Sequence, residues 1–132
     1  MATTNATANE GNTLRSAATL AAGASATHDL DLNDDATHGG AASVALQFDI
    51  TDSGAGSVTV NLYSSLDSGT TFDTESLPGG FATDASGTQV IKTIVADARV
   101  APYLQVELVN DDGSNATGTI AIRFAATKYE TT

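Results

Sequence analysis

The chain has 132 residues, 16 acidic against 5 basic side chains, a net charge of -11 and no cysteine. Disulfides and thiolate metal sites are therefore excluded, and the acidic field opposes phosphate backbones, so no direct nucleic-acid or membrane partner is expected. A single domain of this length hides roughly two-thirds of its unfolded surface, enough for a core without metal or disulfide support.

No apolar run approaches the ~20 residues that cross a bilayer, and residues 1–12 lack the basic start and apolar segment of a secretion signal. Those first residues are Ala, Thr, Asn and Gly with one acid and no large apolar residue after Met1. Such a segment buries too little surface to offset its ordering entropy. A flexible N-terminal arm over 1–12 is expected, either a frayed end or a segment that orders on a neighbouring subunit. A single domain follows over 13–132.

Thr13–Leu20 and Ser25–Leu32 read as two short strands broken at Ala22-Gly23, with a short helix over Ser16–Ala22 as the alternative. Ala42–Thr51 is a strand in which Val44, Leu46, Phe48 and Ile50 alternate with polar or small residues. This two-residue period marks one buried and one wet face. Asp52–Gly56 reads as a hairpin turn into a strand over Ser57–Ser65. Leu66–Thr88 is long and irregular, a length that usually carries function or short strands of its own.

Gln89–Ala96 is apolar on both faces, which predicts a central strand. Tyr103–Asn110 and Thr117–Lys128 are strands, and Asp111–Asn115 between them reads as a second hairpin. Seven to eight short strands with Gly-rich joints predict an all-β fold, an antiparallel β-sandwich of jelly-roll-like type.

The sharpest local pattern is Ser65-Leu66-Asp67-Ser68-Gly69-Thr70-Thr71-Phe72. It resembles the Asp-box of sialidases and other β-propellers, S-x-D-x-G-x-T-[WF], and Ser65, Asp67, Gly69, Thr71 and Phe72 all match. An Asp side chain satisfies turn amides, and Gly permits positive φ. The motif is expected as a structural turn, with Phe72 anchored in the core.

Asp29-Leu30-Asp31-Leu32-Asn33-Asp34-Asp35 lacks the glycine and the terminal acid of a calcium loop. A strand with Asp29, Asp31 and Asn33 outward and Leu30 and Leu32 inward accounts for it better. His28 and His38 with nearby aspartates are a weak zinc pattern. No nucleophile elbow occurs, and the absence of Trp disfavours a glycosidase. Asp111 and Asp112 are expected as turn residues. No catalytic residue, cofactor or metal site is assigned.

The assembled pattern resembles small structural proteins of tailed bacteriophages. The resembling segments are Leu20–Thr27, Gly39–Ala42, Val60–Gly69, Pro102–Val106 and Thr117–Ile122, spread over most of residues 14–128. In character they are most like capsid decoration, or cement, proteins. The resemblance implies a non-enzymatic virion structural protein, made in the host cytoplasm, that binds the outer capsid surface and stabilises the shell. Its implied partners are the major capsid protein and neighbouring copies of itself. The rival reading is a carbohydrate- or receptor-binding tail or neck accessory module, with Tyr63, Phe72, Phe81 and Tyr103 as the available stacking platforms.

Overall fold

The structure is a computed structural model that describes residues 4–32, 43–97 and 103–131, with side chains for 12–32, 43–97 and 103–127. Its elements in chain order are β1 (Thr4–Ala18), β2 (Ser25–Asp31), β3 (Ser43–Ile50), β4 (Val58–Ser65), β5 (Phe81–Ala82), β6 (Val90–Asp97), β7 (Tyr103–Asn110) and β8 (Ile120–Thr131). There is no helix among the described residues, so the alternative helix at Ser16–Ala22 does not form.

The strands make two antiparallel four-stranded sheets, ordered β1-β8-β3-β6 and β2-β7-β4-β5. The two-residue beat explains the layering. Val44, Leu46, Phe48 and Ile50 of β3 and Ile120 and Ile122 of β8 point inward from the first sheet and are fully buried. Val58 and Val60 of β4 and Leu104, Val106 and Leu108 of β7 meet them from the second. Together they form one contiguous core, the inner layer of a β-sandwich. Phe48 and Phe81 meet edge to face across it, with ring centroids 5.4 Å apart.

Nearly every connection changes sheets; only β4 to β5 stays within one. The two segments expected as hairpins are therefore corners. Asp52–Gly56 leads from β3 in the first sheet to β4 in the second, and Asp111–Asn115 leads from β7 back to β8. The Asp, Gly and Ser that favour a hairpin favour any tight reversal. Pairing partners decide between the two, and β3 and β4 each find theirs elsewhere: β3 lies between β8 and β6, and β4 between β7 and β5.

Two further expectations are corrected. Residues 4–12, read as part of a flexible arm, belong to β1, whose backbone pairs with the far end of β8 from Thr4↔Thr131 to Asn9↔Ala126. A ladder satisfies backbone groups and needs no large side chain, which a burial argument overlooks. β6, expected to be central, is the edge of the first sheet. Its outward apolar residues, Ile91 and Val95, are 60% and 72% exposed.

The four sheet edges are finished differently. β1 shifts register between Asn9 and Asn12, Thr13 and Arg15, and Arg15 and Ala18. The free side of β4 is covered by its own downstream chain, through Asp73 N–H to Ser64 O (3.0 Å), Leu77 N–H to Leu62 O (2.7 Å) and the short β5. β2 presents Thr27, Asp29 and Asp31 outward, while its His28 is engaged by Arg15 at 3.2 Å. β6 pairs with β3 in unbroken register over all eight residues and carries neither a bulge nor a proline.

Candidate functional site

The motif turn follows β4. Ser65, 1% exposed, fixes it from below. Its hydroxyl donates to Asp67 Oδ1 at 2.7 Å and accepts the Gly69 N–H at 2.9 Å. The same carboxylate oxygen accepts the Thr71 N–H at 2.7 Å. Ser68 and Gly69 take positive φ, 58° and 86°. The Ser65 hydroxyl, then the Thr71 amide and hydroxyl, stabilise the ionised carboxylate and hold Asp67 down to about 2. Ser65, Asp67, Gly69 and Thr71 thus form one closed local network.

Phe72 differs from expectation. It is half-buried and packs on Tyr103 across the outer side of the second sheet, with centroids 5.8 Å apart and planes at 59°. The turn places residue 69 so close to the Tyr103 ring that a Cβ there would sit 2.7 Å from it. That approach and the positive φ both require glycine. Phe72 lies outside the core because its neighbour on β4, Ser64, is tied to Asp73: the Ser64 amide and hydroxyl both donate to Asp73 Oδ2.

Tyr103 opens a polar and aromatic face. Outward residues of β7 are Tyr103, Gln105, Glu107 and Val109, the first three flanked by Asn61 and Tyr63 of β4 and Asp29 of β2. Asn61 Nδ2 and Tyr63 Oη both donate to Glu107 Oε1, at 3.1 and 3.3 Å, and Gln105 Nε2 donates to Asp29 Oδ1 at 3.0 Å. Partial burial, then the negative charges of Glu107 and Glu75, push the Tyr63 phenol up; burial, Asp29 and Asp31 do the same for Tyr103. A depression of about 340 Å³ beside the turn is lined by Ser64, Leu66, Asp67, Thr71, Phe72 and Asp73. Phe81, the fourth candidate platform, is committed to Phe48 on one side and lies under the Lys92 ammonium, 4.8 Å from its ring centre.

The remaining sequence candidates resolve individually. Leu30 and Leu32 are buried and Asp29 is exposed, as the strand reading requires; Asn33, Asp34 and Asp35 fall outside the described residues. His38 also falls outside them. His28 points to the opposite side of β2 from Asp29, and Arg15 donates to its Nε2. Burial, then the Arg15 charge, lowers the His28 pKa. No group of three or more His, Asp or Glu that could hold a metal occurs among the described residues.

Asp111 and Asp112 are turn residues as expected, Asp111 accepting the Ser57 and Thr59 hydroxyls, but sequence reasoning missed Asp52 and the long-range reach of Asp112. Asp52, 4% exposed, accepts the Thr83 hydroxyl at 2.6 Å and the amides of Gly54 and Gly87 at 2.9 and 2.7 Å. Burial pushes its pKa up, but the Thr83 hydroxyl and the Gly54, Gly87 and Ala85 amides outweigh this and hold it below the ordinary value. Asp112, 8% exposed, accepts the Ser53 hydroxyl at 2.6 Å and the amides of Ser114 and Asn115. The Ser53 hydroxyl first, then the Asn115 side chain, hold it at about 2. Asp112 thereby joins the β3–β4 corner to the β7–β8 corner. No local pattern announces this, because Ser53 and Asp112 are 59 residues apart.

No known family model matches the chain, and no curated protein matches it.

Proposed function

We propose that the protein is a non-enzymatic virion structural protein of the capsid-decoration kind, which binds the outer capsid surface and stabilises the shell. The observation that carries this reading is the outer side of the first sheet. Ala45 of β3, Ala121 and Ala125 of β8, and Ile91, Thr93 and Val95 of β6 lie on one side of it, around Gln47, Asp49 and Arg123, which line a depression of about 220 Å³ with Ile91 and Ala121. Small and β-branched residues around a polar centre give an extended, mixed surface suited to docking against another surface. The strand order, with sheet changes at nearly every connection, supports the jelly-roll form of sandwich. The resemblance of five sequence segments to phage structural proteins supports the capsid setting.

Mechanically, such a protein bridges neighbouring capsomers. A standard interface buries about 1,600 Å² in total, and repetition over a lattice multiplies a modest single contact. Quantifying the protein in purified particles tests the reading. On the order of hundreds of copies per particle, released together with shell stability, is the expected result. A dozen or fewer would place it at the neck or tail, and its absence from particles would overturn the proposal.

The outer side of the second sheet favours a second reading, a saccharide- or receptor-binding accessory module. Half-exposed Tyr63, Phe72 and Tyr103 stand beside Asn61, Gln105 and Glu107, the mix of ring faces and hydrogen-bonding groups that sugars require. Competable binding on a glycan array, lost in Tyr63→Ala, would replace the capsid reading with this one.

A further inference from the structure

We infer that β6 is a self-pairing edge, and that two copies of this chain associate by antiparallel β6–β6 pairing about a two-fold axis through Thr93. The inference concerns the isolated protein and does not depend on what its assembly binds.

Proteins protect free sheet edges with bulges, charges, prolines or covering chain. Three edges here carry such protection: register shifts on β1, the covering segment on β4, and outward carboxylates with the Arg15–His28 contact on β2. Among the described residues β6 has no bulge, proline or covering chain, its charges are Lys92 and the terminal Asp97, and it exposes Ile91 and Val95. Its one cation, Lys92, sits over the Phe81 ring rather than beyond the edge.

The backbone says which residues of β6 are available. The Thr51 N–H donates to Thr119 O, in register with the β3–β8 ladder. Odd-numbered residues of β3 therefore bond to β8, and even-numbered ones turn to β6. Their β6 partners are Val90, Lys92, Ile94 and Ala96. The N–H and C=O groups of Ile91, Thr93 and Val95 consequently point out of the sheet.

A second β6 centred on Thr93 meets those groups in phase. Thr93 lies opposite Thr93 of the second copy, and Ile91 opposite Val95 in both directions. These three hydrogen-bonded positions exchange about six backbone bonds. The opposed side chains are a Thr–Thr pair and two β-branched pairs, combinations that stabilise antiparallel sheets. Lys92 faces Ile94, and Asp97 faces Gln89, so no like charges meet. Sliding by one step to a centre at Lys92 would set Lys92 against Lys92. Sliding the other way would set Asp97 against Ile91. The Thr93-centred register is thus the self-complementary one, an isologous contact that closes at two copies and makes an eight-stranded sheet.

Light scattering after size exclusion tests the association. The expected result is a concentration-dependent rise from 13.3 kDa to twice that mass, strengthened by salt because each copy carries a charge of -11. Thr93→Pro removes an outward N–H that β3 does not use, and the double substitution Ile91→Lys, Val95→Lys sets the introduced cations against each other. Both are expected to stay monomeric at every concentration while keeping the wild-type circular dichroism spectrum. The register is read with Thr93→Cys in this cysteine-free chain. Mild oxidation should trap most of it as a covalent dimer, whereas Leu66→Cys, exposed but far from the edge, should not be trapped comparably. A wild-type protein that stays monomeric in 1 M salt overturns the proposal, as does a dimer that survives Thr93→Pro. Absence of Thr93→Cys cross-linking overturns the two-fold centre. A dimer that forms normally but never occupies particles would refute the capsid reading while leaving this one intact.

Discussion

Two regions of the molecule use aspartate to hold a turn, and they do so on different scales. The 65–72 turn is self-contained: Asp67 bonds Ser65 and Thr71, and every partner lies within four residues. The corners are not. Asp52 gathers Thr83 and Gly87 from 31 and 35 residues away, and Asp112 takes Ser53 from 59 away. The first device shapes one loop. The second fastens segments that would otherwise leave the sandwich separately. The motif visible to sequence inspection is thus the local one, and the fastenings that hold the corners together carry no motif at all.

Four substitutions or conditions would break or sharpen this contrast. The largest effect is expected from Asp52→Ala, which leaves a buried hydroxyl and the Gly54 and Gly87 amides without their acceptor. A loss of about 3 kcal/mol in urea unfolding is expected. Asp67→Ala should lower the melting temperature clearly less, and equal losses would refute the distinction between local and long-range anchoring.

Gly56→Ala comes next. A Cβ there would lie 2.6 Å from Asp112 Cβ and 2.7 Å from its backbone. The two corners would have to part, at about 2 kcal/mol by the usual cost of overpacking. Gly113→Ala is the control on the same corner, since a Cβ at 113 meets nothing within 4 Å.

Acid should then loosen the fold in order. His28, Asp52, Asp67 and Asp112 all titrate lower in the folded chain than in the unfolded one. The unfolded chain therefore binds more protons in each window, so stability falls as pH falls. His28 acts first, below the ordinary 6.5, as protonation is opposed by burial and then by Arg15. Asp67 and Asp112 follow between 3.8 and about 2, and Asp52 below 3.8. Melting temperatures taken from pH 8 to pH 2 should decline in two stages. His28→Gln should remove the first and leave the second, and a single stage in the wild type would contradict the assignment.

The smallest effect has the opposite sign. Ala85 is held at φ 61° in the loop that delivers its amide to Asp52. Ala85→Gly relieves that strain but enlarges the unfolded ensemble, so a net gain of about 0.5 kcal/mol is expected. A loss would mean that the methyl group packs usefully.

What the sequence by itself determined was the strands and their inward residues. Side chains alternate on any strand, so Val44 to Ile50 and Leu104 to Leu108 could be assigned to a core without knowing the neighbours. The closed network of Ser65, Asp67, Gly69 and Thr71 was legible for a similar reason, since its partners are adjacent in the chain. Only tertiary structure decided which sheet each strand joined. Alternation reports that one face is buried, not against what, so 52–56 and 111–115 looked like hairpins and are corners. Ile91 and Val95 made β6 look central because hydrophobicity was read as burial; the edge position leaves them in solvent. Phe72 was assigned to the core and lies on Tyr103 instead, and Asp52 and Asp112 acquired their roles from residues that only the closed sandwich brings near. The physical reason is the same throughout: periodicity and turn chemistry act over a few residues, whereas pairing, edges and corner fastenings are set by distant segments competing for the same backbone groups.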